Sequence, residues 1–150
     1  MSWKRLDLPP IYLLATGIAM WALHVWMPGP VLLDWPWRWL GLLPIVAGGG
    51  LAVWGERQFV RAGTAVLPFR TPSALVTSGP FAFTRNPMYL GMFASLAGWS
   101  LLLGTSTPIL PIPVFVWWLR RRFVLREEVF MEQNFGESYR AYKARVRRWL

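Results

Sequence analysis

Two clusters of polar residues in this 150-residue chain have types and spacing suited to chemistry. The first is Gly79-Pro80-Phe81-Ala82-Phe83-Thr84-Arg85-Asn86-Pro87-Met88-Tyr89-Leu90-Gly91, a turn-forming segment set between strongly apolar blocks. Asn86 followed by Pro87 predicts a helix start, because Asn is a good N-cap and Pro suits the first helical position, where no backbone N–H is needed. Free helix-terminal N–H groups beside Arg85 make a place for a polar ligand. The second cluster is Glu127-Glu128, in a stretch (127–137) that holds four of the seven acidic residues. These carboxylates have two readings. They pair with Arg120, Arg121, Arg126 and Arg140 on a solvated helix, as surface charges commonly do. Alternatively, one of them accepts hydrogen bonds from a cationic or hydroxyl-bearing ligand. The pattern alone leaves both open.

The elements that must position these clusters are apolar. Hydrophobic residues make up 55% of the chain, with 11 Trp, and charged residues only 15%, too little for an ordinary soluble domain. The net charge of +9 suggests nucleic acid at first sight. The basic residues, however, sit between and after apolar blocks and form no basic face, so no nucleic-acid partner is expected. With no Cys, disulfides and thiolate chemistry are excluded. Lys4 and Arg5 ahead of an apolar run resemble a signal peptide, but no small-residue cleavage site follows, which predicts a retained first helix.

The apolar blocks predict spans at about residues 10–27, 37–54, 87–103 and 108–125, each near the length that crosses roughly 30 Å of hydrocarbon. Pro28-Gly29-Pro30 ends the first. Trp35, Trp37, Trp39, Trp117 and Trp118 read as interfacial anchors. Gly41 and Gly48-Gly49-Gly50 in the second span permit close helix contact. Residues 62–85 form a loop containing Gly63, Pro68, Pro72 and Gly79. Gly91, Ser95 and Gly98 share one face of the third span, which predicts a tight hairpin of spans three and four. Phe123, Val124 and Leu125 extend the fourth span beyond the snorkelling Arg120, Arg121 and Arg122.

Gly136 is a natural stop for the helix that follows. Beyond it, Tyr139, Tyr142, Val146 and Trp149 recur at steps of three and four, predicting an amphipathic helix on an anionic leaflet. Fifteen of the 16 Lys and Arg residues fall on one side of a four-span bundle and Arg38 alone on the other. By the positive-inside rule both termini and both polar clusters are cytoplasmic. The expected fold is a single all-α domain over 1–150. It is an integral membrane helical bundle of about four transmembrane helices plus a cytoplasmic C-terminal amphipathic helix, in the cytoplasmic membrane if the source is prokaryotic. The glycine-rich faces can pack within one chain or between two, so oligomeric state stays open. His24, the lone histidine, lies in the first span as a packing residue or a substrate contact. Without a second His or any Cys, no metal site is expected.

Together these residues resemble the isoprenylcysteine carboxyl methyltransferase and phospholipid methyltransferase superfamily of integral membrane enzymes. The pattern begins at Gly63-Thr64 and runs through Leu75-Val76-Thr77-Ser78-Gly79-Pro80-Phe81 and Arg85-Asn86-Pro87-Met88-Tyr89-Leu90-Gly91. It ends with Glu127-Glu128, Phe135-Gly136, Tyr139, Tyr142 and Val146. The resemblance implies use of S-adenosylmethionine (SAM) without a Rossmann domain, and the chain indeed has no dinucleotide-type glycine fingerprint. It implies a cofactor-binding part over about 62–148, with Arg85, Asn86, Met88, Tyr89, Leu90 and Gly91 contacting SAM, Glu127 or Glu128 holding its amino group or ribose, and Tyr139 in the same wall. Asn86 stands where family members often have His. Asn serves there if the position acts through capping and backbone, whereas a ring nitrogen used in chemistry would require His.

A sulfonium methyl is already activated, so the enzyme has mainly to align the acceptor and exclude water, and no catalytic base is expected. The acceptor should be lipophilic and approach from the bilayer: a prenylcysteine-like carboxylate, a phospholipid amine or another small lipophile. Two other readings remain open. One is an NADPH-dependent membrane reductase of the sterol-reductase type, which resembles the superfamily in its C-terminal region. The other is a non-enzymatic membrane scaffold.

Overall fold

A computed structural model describes residues 7–64 and 72–150. Lys4, Arg5, Pro68 and Arg70, used in the orientation and loop readings, lie outside the described residues. The elements in order are α1 (Pro9–Trp26) and a 3-10 turn (Trp37–Gly41) that runs straight into α2 (Leu42–Arg61). A short turn (Gly79–Ala82), α3 (Pro87–Leu103) and α4 (Pro111–Leu119) follow, and then a π turn (Arg120–Val124) leads into α5 (Leu125–Arg145). Among the described residues the only β pairing is two isolated bridges, Val31 with Thr105 and Thr84 with Arg147.

α3 begins at Pro87 with Asn86 at the N-cap position and ends at Gly104, whose left-handed backbone (φ 76°) closes the helix. The second helix runs past the predicted boundary at residue 54, as far as Arg61. Glu56, Arg57 and Gln58 are good helix formers, so a polar exit from the apolar block does not end the helix.

The glycines of α2 and α3 interlock with each other. A methyl group on Gly48 would collide with the carbonyl oxygen of Gly91, and one on Gly41 with that of Gly98. The reciprocal additions at Gly91 and Gly98 meet the carbonyls of Gly48 and Gly41. The predicted tight hairpin of spans three and four is therefore corrected: the Gly91–Ser95–Gly98 face belongs to α2. Gly49 and Gly50 face open space and take no part. Spacing identifies which residues share a face but not which neighbour covers it. Gly98→Ala should overpack this contact and lower stability by about 1–3 kcal/mol, read as a lower melting temperature in detergent.

The core lies where α1, α3, α4 and the π turn meet, around Met20, Leu96, Phe115, Leu119, Phe123 and Val124. Outward faces carry exposed Leu14, Trp21, Leu43, Val46, Val114 and Trp117. Soluble monomers rarely expose so much contiguous apolar surface, and a helical bundle in lipid does. Among the described residues one stretch, Trp37–Arg61, is both long and apolar enough to cross a membrane, and α3 is a shorter apolar helix.

The C-terminal region differs most from expectation. α5 kinks at Gly136, whose backbone (φ 51°, ψ −120°) favours glycine although a Cβ there would meet nothing. Lys143 and Glu132 form an ion pair at 3.0 Å across the kink. In a straight helix eleven residues would separate them by roughly 16 Å, so the two halves fold toward each other. Tyr139 and Tyr142 are 4% exposed. Instead of lying on a membrane surface, they face the protein, and the Tyr142 hydroxyl donates to the Phe81 carbonyl at 2.7 Å. The helix stops at Arg145, leaving Val146 extended and Trp149 packed on Phe93 at 5.1 Å.

Candidate functional site

A cavity of about 280 Å³ opens between Leu8–Pro10, the end of α2, the segment 72–89 and α5. This is close to the lower end of the range for small-molecule sites. Its walls are mainly apolar, including Phe59, Val76, Phe81, Met92 and Phe130, with a few convergent polar groups. Of the residues proposed from sequence, Arg85, Asn86, Met88, Tyr89, Glu127, Glu128 and Tyr139 all line it.

Leu90 and Gly91 do not line the cavity. Gly91 lies against α2, and the backbone N–H of Leu90 closes the first helical turn onto the Asn86 carbonyl at 3.0 Å. His24 lies at the opposite end of the bundle, where Nδ1 shares a 2.8 Å hydrogen bond with Thr105 Oγ1. Its place there is that of a packing residue joining α1 to the α3–α4 connection.

Asn86 occupies the N-cap position without capping through its side chain. Its Nδ2 donates instead to the carbonyl of Arg148 at 3.0 Å, and Thr84 Oγ1 donates to the same oxygen at 3.1 Å. Arg85 N–H donates to the Arg147 carbonyl at 3.0 Å. The last residues of the chain thus form a strap tied to the segment that carries Arg85. Capping was the sequence-derived role for Asn86, and it is corrected here: the extended tail offers a carbonyl within reach.

The two glutamates have separate jobs. Glu127 accepts a 2.7 Å hydrogen bond from the Tyr89 hydroxyl. Burial pushes its carboxyl up to about 7, with the Tyr89 bond opposing. Glu128, almost fully buried, is gripped by Arg148 through Nε at 2.9 Å and Nη2 at 2.7 Å. Arg85 Nη1 lies 3.3 Å from the same carboxylate, close enough for an ion pair but not aligned as a hydrogen bond. Neither glutamate pairs with Arg120, Arg121, Arg126 or Arg140. Arg140 instead pairs with Glu137, and Arg121 lies over the Trp117 ring. Tyr139, between Arg85 and Glu128, has its phenol pushed up to about 12, chiefly by burial and then by Glu128, with Arg85 opposing.

Arg85 Nε and Nη1 are buried and have no hydrogen-bond partner among the described residues. Buried guanidinium N–H groups without acceptors are costly unless a ligand supplies them. The cavity therefore offers an anion receptor at Arg85, a carboxyl poised near neutrality at Glu127, and an apolar wall between them. That donor set fits an amphoteric molecule with a carboxylate, a cationic centre and a flat apolar body.

Sequence reasoning missed Phe59, Met92 and the Leu8–Pro10 wall, none of which carries a chemical signature. It also missed Arg148, one basic residue among nine after position 119. The N-terminal wall is secured by Asp7, which pairs with Arg122 and accepts from the Tyr12 hydroxyl at 3.0 Å.

An all-helical bundle with an apolar exterior, and at one end a mainly apolar cavity holding a few charged groups, has the build expected of a membrane protein. The family model for phospholipid methyltransferases matches residues 36–138. The chain belongs to that family. It is 41% identical over 63 residues to an uncharacterized protein of Haemophilus influenzae, a match over 42% of this chain and the whole of that protein. It is also similar to the protein-S-isoprenylcysteine O-methyltransferases of Schizosaccharomyces pombe and Homo sapiens, 33% and 36% identical over 72 residues. Those matches cover 48% of this chain but only 30% and 25% of the two enzymes.

Proposed function

We propose that this chain is a membrane methyltransferase that binds SAM in the Arg85–Glu127 cavity and methylates a lipophilic acceptor. The observation that carries the reading is that Arg85 Nε and Nη1 are buried without a hydrogen-bond acceptor among the described residues, on a residue that lines the same cavity as Glu127. When bound, SAM supplies a methyl group already activated on a sulfonium. Arg85 holds the ligand carboxylate by charge-assisted hydrogen bonds. The first turn of α3 adds backbone N–H groups and the positive end of its dipole. Glu127, oriented by Tyr89, takes the ammonium or a ribose hydroxyl. Phe59, Val76 and Phe81 exclude water around these charges, which strengthens each polar contact.

The proposed acceptor route is apolar. A groove between α1 and α3, lined by Leu13, Gly17, Trp21, Leu96 and Trp99, shares Pro10 with the Arg85–Glu127 cavity. In the proposed orientation the bundle crosses the bilayer four times with the cavity on the cytoplasmic side, where soluble SAM reaches it. The groove then opens to hydrocarbon, so an acceptor arrives from the lipid. A prenylcysteine-like carboxylate, a phospholipid amine and another small lipophile all meet that requirement.

Isothermal titration in detergent tests the donor, and mass spectrometry of lipids labelled from methyl-deuterated SAM tests the acceptor. SAM should bind and NADPH should not, with label appearing in the lipid extract. Binding of NADPH without SAM, or of neither, overturns the methyl-donor reading.

A further inference from the structure

We propose that Arg148 is a positioning residue of this site: by occupying both oxygens of Glu128, it keeps the Arg85 guanidinium free for a ligand carboxylate. The inference rests on the methyl-donor reading above.

Arg85, Glu128 and Arg148 are a set of two guanidiniums and one carboxylate, and they share it unequally. Arg148 presents a two-point fork, Nε to Oε1 at 2.9 Å and Nη2 to Oε2 at 2.7 Å. Arg85 stands 3.3 Å from Oε1, and its Nε and Nη1 make no hydrogen bond among the described residues. The side chains of Arg85 and Glu128 are 9% and 10% exposed, so water cannot readily complete either group. A buried carboxylate takes the best-aligned donors available. Without the Arg148 fork those donors would be on Arg85, whose guanidinium would turn fully onto Glu128 and be lost to a ligand. The set carries one positive charge in excess, which favours an anion in the adjoining cavity.

The tail is not placed there by the ion pair alone. The Arg148 carbonyl accepts from Asn86 and Thr84, and the Arg147 carbonyl accepts from the Arg85 backbone. The strap and Arg85 are therefore fixed to each other through the backbone. The side chain of Asn86 thereby seats the residue that releases Arg85.

A purely structural role would weaken all ligands alike, whereas a positioning role weakens only those with a carboxylate. The test is isothermal titration of wild type, Arg148→Met and the double variant Arg148→Met/Glu128→Gln with SAM and with decarboxylated SAM. Arg148→Met should lose roughly ten- to a hundredfold in SAM affinity, the range of a charge-assisted hydrogen bond, and stay within about twofold for the decarboxylated ligand. The double variant lacks the carboxylate that captures Arg85 and should regain most of the lost affinity. Equal losses for both ligands, no loss for SAM, or no recovery in the double variant overturns the proposal. If Arg148→Met does not fold, Arg148→Lys, which keeps the charge and the strap, should show the same selective loss at smaller size, and an unselective loss overturns the proposal equally. A wild-type protein that binds no SAM defeats the methyl-donor reading itself, and the inference with it. Wild-type binding with an unselective variant defeats the inference alone.

Discussion

Arg85→Met should reduce SAM affinity by about ten- to a hundredfold, because the charge-assisted donor to the ligand carboxylate is removed. The protein should remain folded. Glu128 keeps both of its close contacts to Arg148, so the substitution strands no buried carboxylate. What it removes natively is the 3.3 Å ion pair to Glu128 and the contact to Tyr139, while Nε has no hydrogen-bond partner among the described residues. Arg85→Lys restores charge without the fork and should recover only part of the affinity. Calorimetry with a melting curve checks both points. Full SAM affinity in the methionine variant would show that the ligand carboxylate lies elsewhere.

The second large effect concerns Glu127, and its signature is pH dependence. With its carboxyl raised to about 7 by burial, the ligand-free site holds this group protonated in mildly acidic solution. A cationic ligand favours the carboxylate, so binding below that value must first remove a proton. SAM affinity should fall about tenfold per pH unit below about 7 and level off above it. Glu127→Gln should abolish the slope and bind weakly throughout, since the amide carries no charge. Stability has the opposite sign. The folded-state value lies above the ordinary 4.5, so the contribution is fully present below about 4.5 and is lost as pH rises through about 7. Ligand-free Glu127→Gln should therefore melt above wild type at pH 8 and near it at pH 5. A flat affinity profile in wild type would remove Glu127 from the binding site.

The sequence made some of this arrangement legible and hid the rest for physical reasons. Asn86-Pro87 located the start of α3, and Gly136 located a break in α5, because both depend on local backbone chemistry. The meeting of Arg85 and Tyr89 with the glutamate pair came from a family resemblance, since nothing in local spacing brings together groups about forty residues apart. The division of labour between Glu127 and Glu128 was invisible. It depends on Arg148, whose residue type is commonplace in so basic a tail. Asn86 was read as a cap because that is what its position suggests, but its partner is a backbone carbonyl, which every residue possesses. The tyrosines of the tail gave a clear amphipathic period. That period is the same whether the apolar face meets lipid or the Phe81 turn. The α2–α3 glycine contact was half legible in the same way, with the face evident and the partner not.

The π turn at Arg120–Val124 has a consequence for how such a site is tuned. A π turn accommodates one residue more than an α turn. It therefore sets the angle at which the helical shaft leaves the core: Leu119, Phe123 and Val124 keep buried seats while Glu127 and Glu128 reach the cavity. Removing or adding one residue there would re-aim Glu127 and Glu128 by about 100°, and it would also unseat Phe123 and Val124, which are fully buried. Aim and anchorage are thus set by the same five residues. A single insertion would redirect the carboxylates only by disturbing the core that seats them.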